Sequence, residues 1–226
     1  MREKQVKYRL EMQANTNDYK FRKWTMMGKT FYLMRHGQTL FNVRIRIQVS
    51  CDSPLTELGV EQAKIAGNYI KELGIGHYYC STAERASDTI ELAVGEDMPY
   101  TRLKGLKERA FGVFEGESED LHPQWENGFD DFYPKFGGET SAQVEERIKQ
   151  TCTEIMDNED HETVLAVSHA GASSAFLRSL VGEEEIQAIF ADGGFTNCAI
   201  AKYTYANGEF EFVEIIRPDF SSIEDI

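Results

Sequence analysis

The chain has 226 residues, of which 41% are hydrophobic, and carries a formal net charge of −14 at pH 7. This size and composition are typical of one globular domain with a well-buried core, and no apolar run of about 18 residues predicts a membrane span. The negative charge argues against nucleic acid as a partner, because such a protein would repel a polyanion.

The first 25 residues differ from the rest of the chain in charge. They hold seven Lys or Arg and three Asp or Glu, a net charge of +4, which leaves −18 for the remainder. We therefore expect a basic N-terminal extension over residues 1–25, whose role the sequence does not reveal, and a single folded domain over residues 26–226.

The N-terminal segment and the cysteines both bear on location. The segment lacks the uninterrupted apolar core of a secretory signal, so none is expected. The cysteines are widely spaced and predict neither disulfides nor a zinc site: Cys51, Cys80, Cys152 and Cys198. The cytoplasm is the expected location.

Apolar patterns along the chain predict an alternation of strands and helices. Strand-like runs occupy residues 30–34, 77–80 and 164–168. Helical spacing predicts helices over residues 57–73, 83–94, 141–156, 172–180 and 183–190. Residues 197–205 and 209–216 predict a hairpin, because Asn207-Gly208 favours a two-residue turn. The whole predicts a three-layer α/β/α sandwich around a mixed, mainly parallel central sheet.

Two of the predicted helices follow residues that can cap them. Thr56 is expected to cap the helix that begins at residue 57, and Ser81 or Thr82 the helix that begins at residue 83. The first turn of the latter helix would present Arg85 just beyond the second strand.

Three strands thus end in residues that bind anions. Arg35 and His36 follow the first strand, Arg85 follows the second, and His169 follows the third. Because ligands gather at the carboxyl edge of a parallel sheet, these ends would bring two imidazoles and two guanidiniums together. This is the chemical inventory of a site for a phosphoryl dianion.

These groups suit phosphoester cleavage without a metal ion. Uncatalysed cleavage is very slow, and a covalent intermediate divides it into two easier steps. A neutral nitrogen of His36 could attack phosphorus and form a phosphohistidine, while Arg35, Arg85 and His169 hold the charged oxygens and Asn42 acts as a neutral donor. The sequence has no carboxylate cluster suited to magnesium and no Cys/His cluster suited to zinc, so no metal and no cofactor are expected.

Ordered motif blocks over about residues 28–216 resemble the histidine phosphatase superfamily, the phosphoglycerate mutase-like proteins. The first block, residues 33–39 followed by Asn42, contains the Arg-His-Gly signature. The later blocks are Gln48 with residues 52–59, then residues 80–86, 106–116, 137–140 and 168–171.

The resemblance implies an enzyme with a defined set of site residues. The implied catalytic residues are His36, Glu108, His169, Arg35 and Arg85. The implied substrate-binding residues are Arg35, Asn42, Gln48, Arg85 and His169. The resemblance assigns Glu108 as the proton donor; without it, a solvated loop carboxylate would be the expectation, since four further acidic residues lie nearby.

Two positions depart from the family pattern. Val49 stands where a glycine commonly follows Gln48, and a valine there would be costly if the position required positive φ. We therefore expect the loop over residues 44–51 to take its own path. Ala170 replaces a common glycine and still leaves a backbone N–H donor. Neither change removes a catalytic group.

Residues 117–136 are predicted to form a small helical or loop cap over the pocket. Their aromatic residues suggest an apolar or flat leaving group, with simple packing of an insertion as the alternative. Lys135 is the one basic residue between positions 118 and 136. Because a phosphoglycerate mutase would need more basic groups here for a second anionic end of its substrate, this shortage favours a phosphatase.

We therefore expect a metal-independent phosphomonoester hydrolase that acts through a phosphohistidine on a small phosphorylated metabolite. The alternatives are a mutase, which returns the phosphoryl group to an organic acceptor, and a catalytically silent module that binds phosphorylated ligands. The expected partner is a small phosphoester, with no nucleic acid and no membrane. Homodimer formation and the natural substrate stay open.

Overall fold

A computed structural model describes residues 28–125 and 127–223; the predicted basic extension over residues 1–25 lies outside them. Six strands form one sheet in the order β3-β2-β4-β1-β5-β6. In chain order the strands are β1 (Lys29–Arg35), β2 (His77–Ser81), β3 (Thr101–Leu103), β4 (Thr163–Ser168), β5 (Ile200–Ala206) and β6 (Glu209–Ile216).

The strands β1 to β4 run parallel, whereas β5 and β6 join antiparallel at one edge. In the register of β1 and β4, Arg35 lies opposite Ser168, so His36 and His169 follow at adjacent strand ends. On the other side of β4, Cys80 of β2 lies opposite Val167. Pairing of the backbone therefore brings the three predicted strand ends to one edge.

Helices cover both faces of the sheet. They are α1 (Leu40–Val43), α2 (Glu57–Ile70), α3 (Glu84–Val94), α4 (Gly128–Phe132), α5 (Ser141–Met156), α6 (Ala170–Arg178) and α7 (Glu183–Ala191). Side chains alternate along β1, so Phe31 and Leu33 pack with α5, α6 and α7, while Tyr32 and Met34 pack with α2 and α3. The predicted three-layer α/β/α architecture with a mixed sheet is confirmed.

Most predicted elements are present, with boundaries that shift by one to three residues. The predicted helix over residues 57–73 ends its regular part at Ile70 and closes with a 3₁₀ turn. The predicted helix over residues 172–180 begins two residues earlier, at Ala170. The hairpin turn is confirmed, with positive φ at both Asn207 and Gly208. The pattern analysis missed β3 and α1, which are only three and four residues long.

Of the two predicted caps, one is confirmed and one is wrong. The Thr56 side chain accepts a hydrogen bond from the Gly59 N–H at 3.0 Å. Helix α3 begins at Glu84 without a cap from Ser81 or Thr82, because the Asp52 carboxylate, distant in sequence, accepts the Glu84 N–H at 2.5 Å. The Ser81 hydroxyl accepts the N–H of Ala83, the residue before the helix, at 3.3 Å and is also bonded to a histidine ring, as described below.

Two further sequence expectations concern cysteines and membranes. The four cysteines are free thiols, and Cys80, Cys152 and Cys198 are buried. Among residues 28–125 and 127–223, no helix combines the length and apolar character that crossing a bilayer requires.

A close helix contact supplies a test of the packing. Gly67 lies on α2 where α3 approaches, and a Cβ added there would sit 2.2 Å from the Ala93 carbonyl oxygen. In Gly67→Ala this clash should outweigh the gain of about 1 kcal/mol in helix propensity and destabilise the protein by roughly 1–3 kcal/mol. Chemical denaturation would measure the change in unfolding free energy.

Gly76→Ala is the matched control, because the nearest atom to its added Cβ is the Thr163 carbonyl oxygen at 3.7 Å. This variant should stay within about 0.5 kcal/mol of the parent. Equal unfolding free energies for both variants would contradict the packing described for α2 and α3.

Candidate active site

His36 lies directly beyond β1, and its hydrogen bonds define the state of its ring. Nδ1 contacts the Gly37 carbonyl oxygen at 2.7 Å and must donate to it. Nε2 lies 3.3 Å from Nε of Arg85, and because a guanidinium only donates, Nε2 accepts. Burial, then the charges of Arg85 and Arg35, hold the pKa of His36 well below its usual range. The ring is therefore neutral and keeps a lone pair on Nε2.

Arg85, in the first turn of α3, is only 1% exposed, and each nitrogen of its guanidinium donates a hydrogen bond. Nη1 donates to Oδ1 of Asp52 at 2.9 Å, and Nη2 donates to the Gln48 carbonyl at 3.1 Å and to Nδ1 of His169 at 2.9 Å. The sequence analysis missed the role of Asp52, although this residue lies in one of the motif blocks. Its carboxylate balances the charge of Arg85 and holds the start of α3.

His169 follows β4 and lies beside His36, with the two ring centroids 5.2 Å apart. Since its Nδ1 accepts from Arg85, its Nε2 donates to the Ser81 hydroxyl at 2.8 Å. Burial, then the charge of Arg85, holds the pKa of His169 well below its usual range. The two imidazoles that were predicted to meet at the strand ends thus lie on either side of the Arg85 guanidinium, and both are neutral.

A pocket of about 440 Å³ opens beside this cluster. Five of the predicted site residues line it: Arg35, His36, Asn42, Gln48 and Glu108. Arg85 and His169 lie behind His36 and are not among its lining residues. Within the described part of the chain, no three His, Cys, Asp or Glu side chains converge as a metal site would require.

Arg35 and Asn42 offer unused donors at this pocket. Nη1 of Arg35 donates to the Phe195 carbonyl at 2.7 Å, whereas its buried Nε has no hydrogen-bond partner among the described residues. The amide oxygen of Asn42 accepts the Thr39 N–H at 3.0 Å, which leaves the amide NH₂ for a ligand. An oxyanion could accept from both groups.

The Gln48 amide is largely committed to other protein groups. Its Oε1 accepts from the Thr39 hydroxyl at 2.9 Å, and its Nε2 donates to Oδ1 of Asp52 at 3.1 Å. Gln48 therefore lines the pocket while it supports the residue that pairs with Arg85. This arrangement is better suited to positioning than to direct contact with a ligand.

Val49 is accommodated without the expected strain. Its φ is not positive, and its side chain is buried. The N–H groups of residues 49–51 converge on the Glu115 carboxylate at 2.8 to 3.3 Å, which shapes the loop. Positive φ occurs instead at Ile45, at 51°, an unusual conformation for a β-branched residue. The positive φ of this loop thus lies four residues before Val49, and a path different from that of the family stays a prediction.

Glu108 lies in a loop, and its side chain reaches the N-terminus of α6 and lines the pocket. Its two carboxylate oxygens accept N–H groups of Arg109, Gly171 and Ala172, each at 2.8 Å. A Cβ at Gly171 would lie 2.5 Å from Oε1 of Glu108, so a larger residue there would push this carboxylate out of its position. The carboxylate is thus fixed in place by backbone donors, and its role as proton donor stays a prediction.

An ion pair that the sequence analysis did not assign holds the backbone around Glu108. Arg147 of α5 donates to both carboxylate oxygens of Glu139 at 2.8 Å, and to the carbonyls of Gly105 and Lys107 at 2.8 and 2.9 Å. Glu139 also accepts the Ala110 N–H at 2.8 Å. Burial raises the pKa of Glu139, but these donors outweigh it and leave that pKa below its usual value. The Gly-Gly-Glu-Thr block therefore supports the Glu108 loop.

The insertion over residues 117–136 contributes two aromatic rings to the pocket, His122 and Phe129. Trp125 is 54% exposed, and Lys135 is not among the pocket-lining residues. His122, for which the sequence gave no functional signal, packs 5.3 Å from the Phe111 ring, another pocket residue. The segment thus contains both pocket-lining rings and rings that pack against other aromatic residues, and its role as a cap stays a prediction.

Comparisons with known proteins agree on one family. The model of the histidine phosphatase superfamily (branch 1) matches residues 31–217. Fructose-2,6-bisphosphatase TIGAR B of Danio rerio is 28% identical over 82% of this chain and 72% of its own length.

Two solved structures share the fold. A phosphoglycerate mutase from Bacillus anthracis aligns with a TM-score of 0.70 and 25% identity, over 83% of this chain and 93% of its own. Bacillus stearothermophilus YhfR aligns with a TM-score of 0.71 and 27% identity, over 86% and 99% of the two chains.

The two neutral imidazoles predict a pH-dependent stability. Unfolded histidine binds a proton near pH 6.5, whereas folded His36 and His169 do not, because their pKa values are lowered. Below about pH 6.5 the unfolded state therefore binds more protons, and the unfolding free energy should fall by up to about 1.4 kcal/mol per pH unit for each ring. Denaturation curves at pH 7.5 to 5.0 would measure this loss.

His36→Gln and His169→Gln remove one titrating ring each and should flatten the pH dependence, while His77→Gln, outside the pocket, should not. If the parent protein kept a constant unfolding free energy across this range, the neutral state of the rings would be wrong.

Proposed function

This chain belongs to the histidine phosphatase superfamily, and we propose that it is a metal-independent phosphomonoester hydrolase that works through a phosphohistidine at His36. Members of this superfamily are enzymes of the histidine phosphatase type, and so is this chain. One observation carries the proposal: a neutral imidazole with an unprotonated Nε2 lies in a pocket between guanidiniums and the Glu108 carboxylate.

In the first step, Nε2 of His36 attacks phosphorus in line and forms a P–N bond while the ester P–O bond breaks. The leaving alkoxide keeps the electron pair of that bond and takes a proton from the acid form of Glu108. Nε of Arg35 and the amide of Asn42 are the donors for the phosphoryl oxygens, while Arg85 stabilises their negative charge from behind His36. The charge of the two arginines takes the place of a metal ion.

In the second step, water attacks the phosphohistidine. Glu108, now a carboxylate, accepts a proton from this water as its oxygen bonds to phosphorus. The electrons of the P–N bond return to Nε2, and inorganic phosphate leaves. The sum is an ester and water converted to an alcohol and phosphate, with His36 and Glu108 restored.

Hydrolysis is favoured over transfer to an organic acceptor by the composition of the insertion. Its one basic residue between positions 118 and 136, Lys135, does not line the pocket. The relatives include both a bisphosphatase and a phosphoglycerate mutase. The two reactions differ in the acceptor, so phosphate release separates them.

His36→Ala should lose phosphatase activity at least about a thousandfold, since it removes the nucleophile. With an ester labelled at phosphorus, rapid acid-free quenching should trap a base-stable, acid-labile adduct on the parent protein and none on this variant. His77→Ala, outside the pocket, should keep both turnover and adduct. Turnover without any adduct on His36 would overturn the mechanism.

The parent protein should release inorganic phosphate from several esters in the presence of EDTA and without a bisphosphate primer. Phosphoryl transfer to an added alcohol acceptor with little phosphate release would indicate the mutase instead. Tight orthovanadate binding without turnover of any ester would indicate the silent binding module.

Glu139→Gln should impair the proton donor by loosening its loop, because it weakens the ion pair with Arg147. An alkyl phosphate, whose leaving group needs a proton, should lose at least tenfold in kcat, but p-nitrophenyl phosphate should lose less than threefold. Glu146→Gln, at an exposed position on the helix that carries Arg147, is the control and should change neither rate. Equal losses for both esters would assign Glu139 a merely structural role.

A further inference from the structure

The segment between α7 and β5, residues 195–198, contacts the site residues that follow β1. The Phe195 carbonyl accepts from Nη1 of Arg35 at 2.7 Å, and the Cys198 N–H donates to the Arg35 carbonyl at 3.2 Å. Asn197 lies between these two contacts and is half-buried. The segment thus holds both the side chain and the backbone of Arg35, and Asn197 is free to reach further site residues.

The side-chain amide of Asn197 connects the proposed nucleophile to the neutral donor of the pocket. Its Nδ2 donates to the carbonyl oxygen of His36 at 3.0 Å and to Oδ1 of Asn42 at 3.3 Å. The first partner identifies this atom as the amide nitrogen, because a carbonyl oxygen only accepts. An NH₂ group carries two hydrogens, so it can serve both acceptors at once.

The second amide, that of Asn42, is held by one local donor and one distant donor. Its Oδ1 accepts the Thr39 N–H at 3.0 Å, and Thr39 is the residue that caps α1, the helix on which Asn42 lies. This local bond fixes the amide relative to α1. The bond from Asn197 fixes it relative to His36, because the same NH₂ group holds the His36 backbone.

The backbone next to Asn197 has an uncommon conformation. The φ angle of Cys198 is 57°, a region that few residues other than glycine adopt. Such a conformation persists where the surrounding structure fixes it, and it often accompanies functional sites. Asn197 is not among the residues that line the pocket, so it would affect a ligand through the residues that it holds.

We propose that Asn197 is a positioning residue that sets the spacing between His36 and the Asn42 amide. The inference rests on the proposed function, in which His36 attacks phosphorus while Asn42 donates to a phosphoryl oxygen. Attack requires the reacting atoms to lie about 3–3.5 Å apart, and a misplacement of about 1 Å can lower a rate about a hundredfold. One NH₂ group that binds both residues provides this precision from outside the pocket.

A double-mutant cycle tests the proposal with an ester that the parent protein hydrolyses. Asn197→Ala should lower kcat/KM at least tenfold, because the Asn42 amide is no longer held at its distance from His36. In the Asn42→Ala background, which lacks the donor to be positioned, the same substitution should cost less than threefold. Equal losses in the two backgrounds would assign Asn197 a merely structural role and overturn the proposal.

Thr196→Ala is the matched control, because Thr196 is the exposed neighbour of Asn197 and is not among the pocket-lining residues. It should change kcat/KM less than twofold. If Asn197→Ala fails to fold, Asn197→Ser, which keeps a small polar side chain without the NH₂ group, should repeat the pattern. Its loss should be at least threefold in the parent background and less than twofold in Asn42→Ala.

Calorimetric binding of orthovanadate, which needs no turnover, keeps this inference separate from the proposed function. If the parent protein hydrolyses no ester, the phosphatase proposal fails. A loss of orthovanadate affinity of at least fivefold in Asn197→Ala, absent in the Asn42→Ala background, would still support the positioning role. An affinity that Asn197→Ala leaves unchanged would refute this role, and a parent protein that neither hydrolyses an ester nor binds orthovanadate would refute both proposals.

Discussion

The site depends on one buried cation, the guanidinium of Arg85. A charge removed from water must be paired and fully hydrogen-bonded to be tolerated, and Arg85 meets this demand with Asp52, the Gln48 carbonyl and the two imidazoles. The same bonds that satisfy the cation determine which nitrogen of each ring carries a proton. The protonation state of His36, the proposed nucleophile, is thus a consequence of how one arginine is buried.

Backbone pairing explains why these groups meet at all. The parallel register of β1 with β4, and of β4 with β2, brings three strand ends to one edge of the sheet. The site residues come directly after these strands, so short segments of chain are enough to bring their side chains together. Alternation along β1 anchors this edge from both faces, since its residues pack into two separate hydrophobic layers.

The strand ends and most helices could be predicted from the sequence because they follow from local periodicity. The motif blocks likewise identified Arg35, His36, Arg85, Glu108 and His169 as neighbours. Long-range partners could not be found in this way: Asp52 caps α3 from 32 residues away, and local pattern pointed wrongly to Ser81 or Thr82. The strain expected at Val49 depended on its φ angle, which the sequence does not determine. In the folded loop the positive φ occurs at Ile45 instead.

The N-terminus of helix α6 contacts two site residues that have different proposed roles, His169 and Glu108. His169 immediately precedes this helix, and the N–H groups of its first turn hold the carboxylate of Glu108. The first residues of this helix therefore contact both the second imidazole of the site and the proposed proton donor, so a substitution that displaced residues 169–172 would disturb both groups at once.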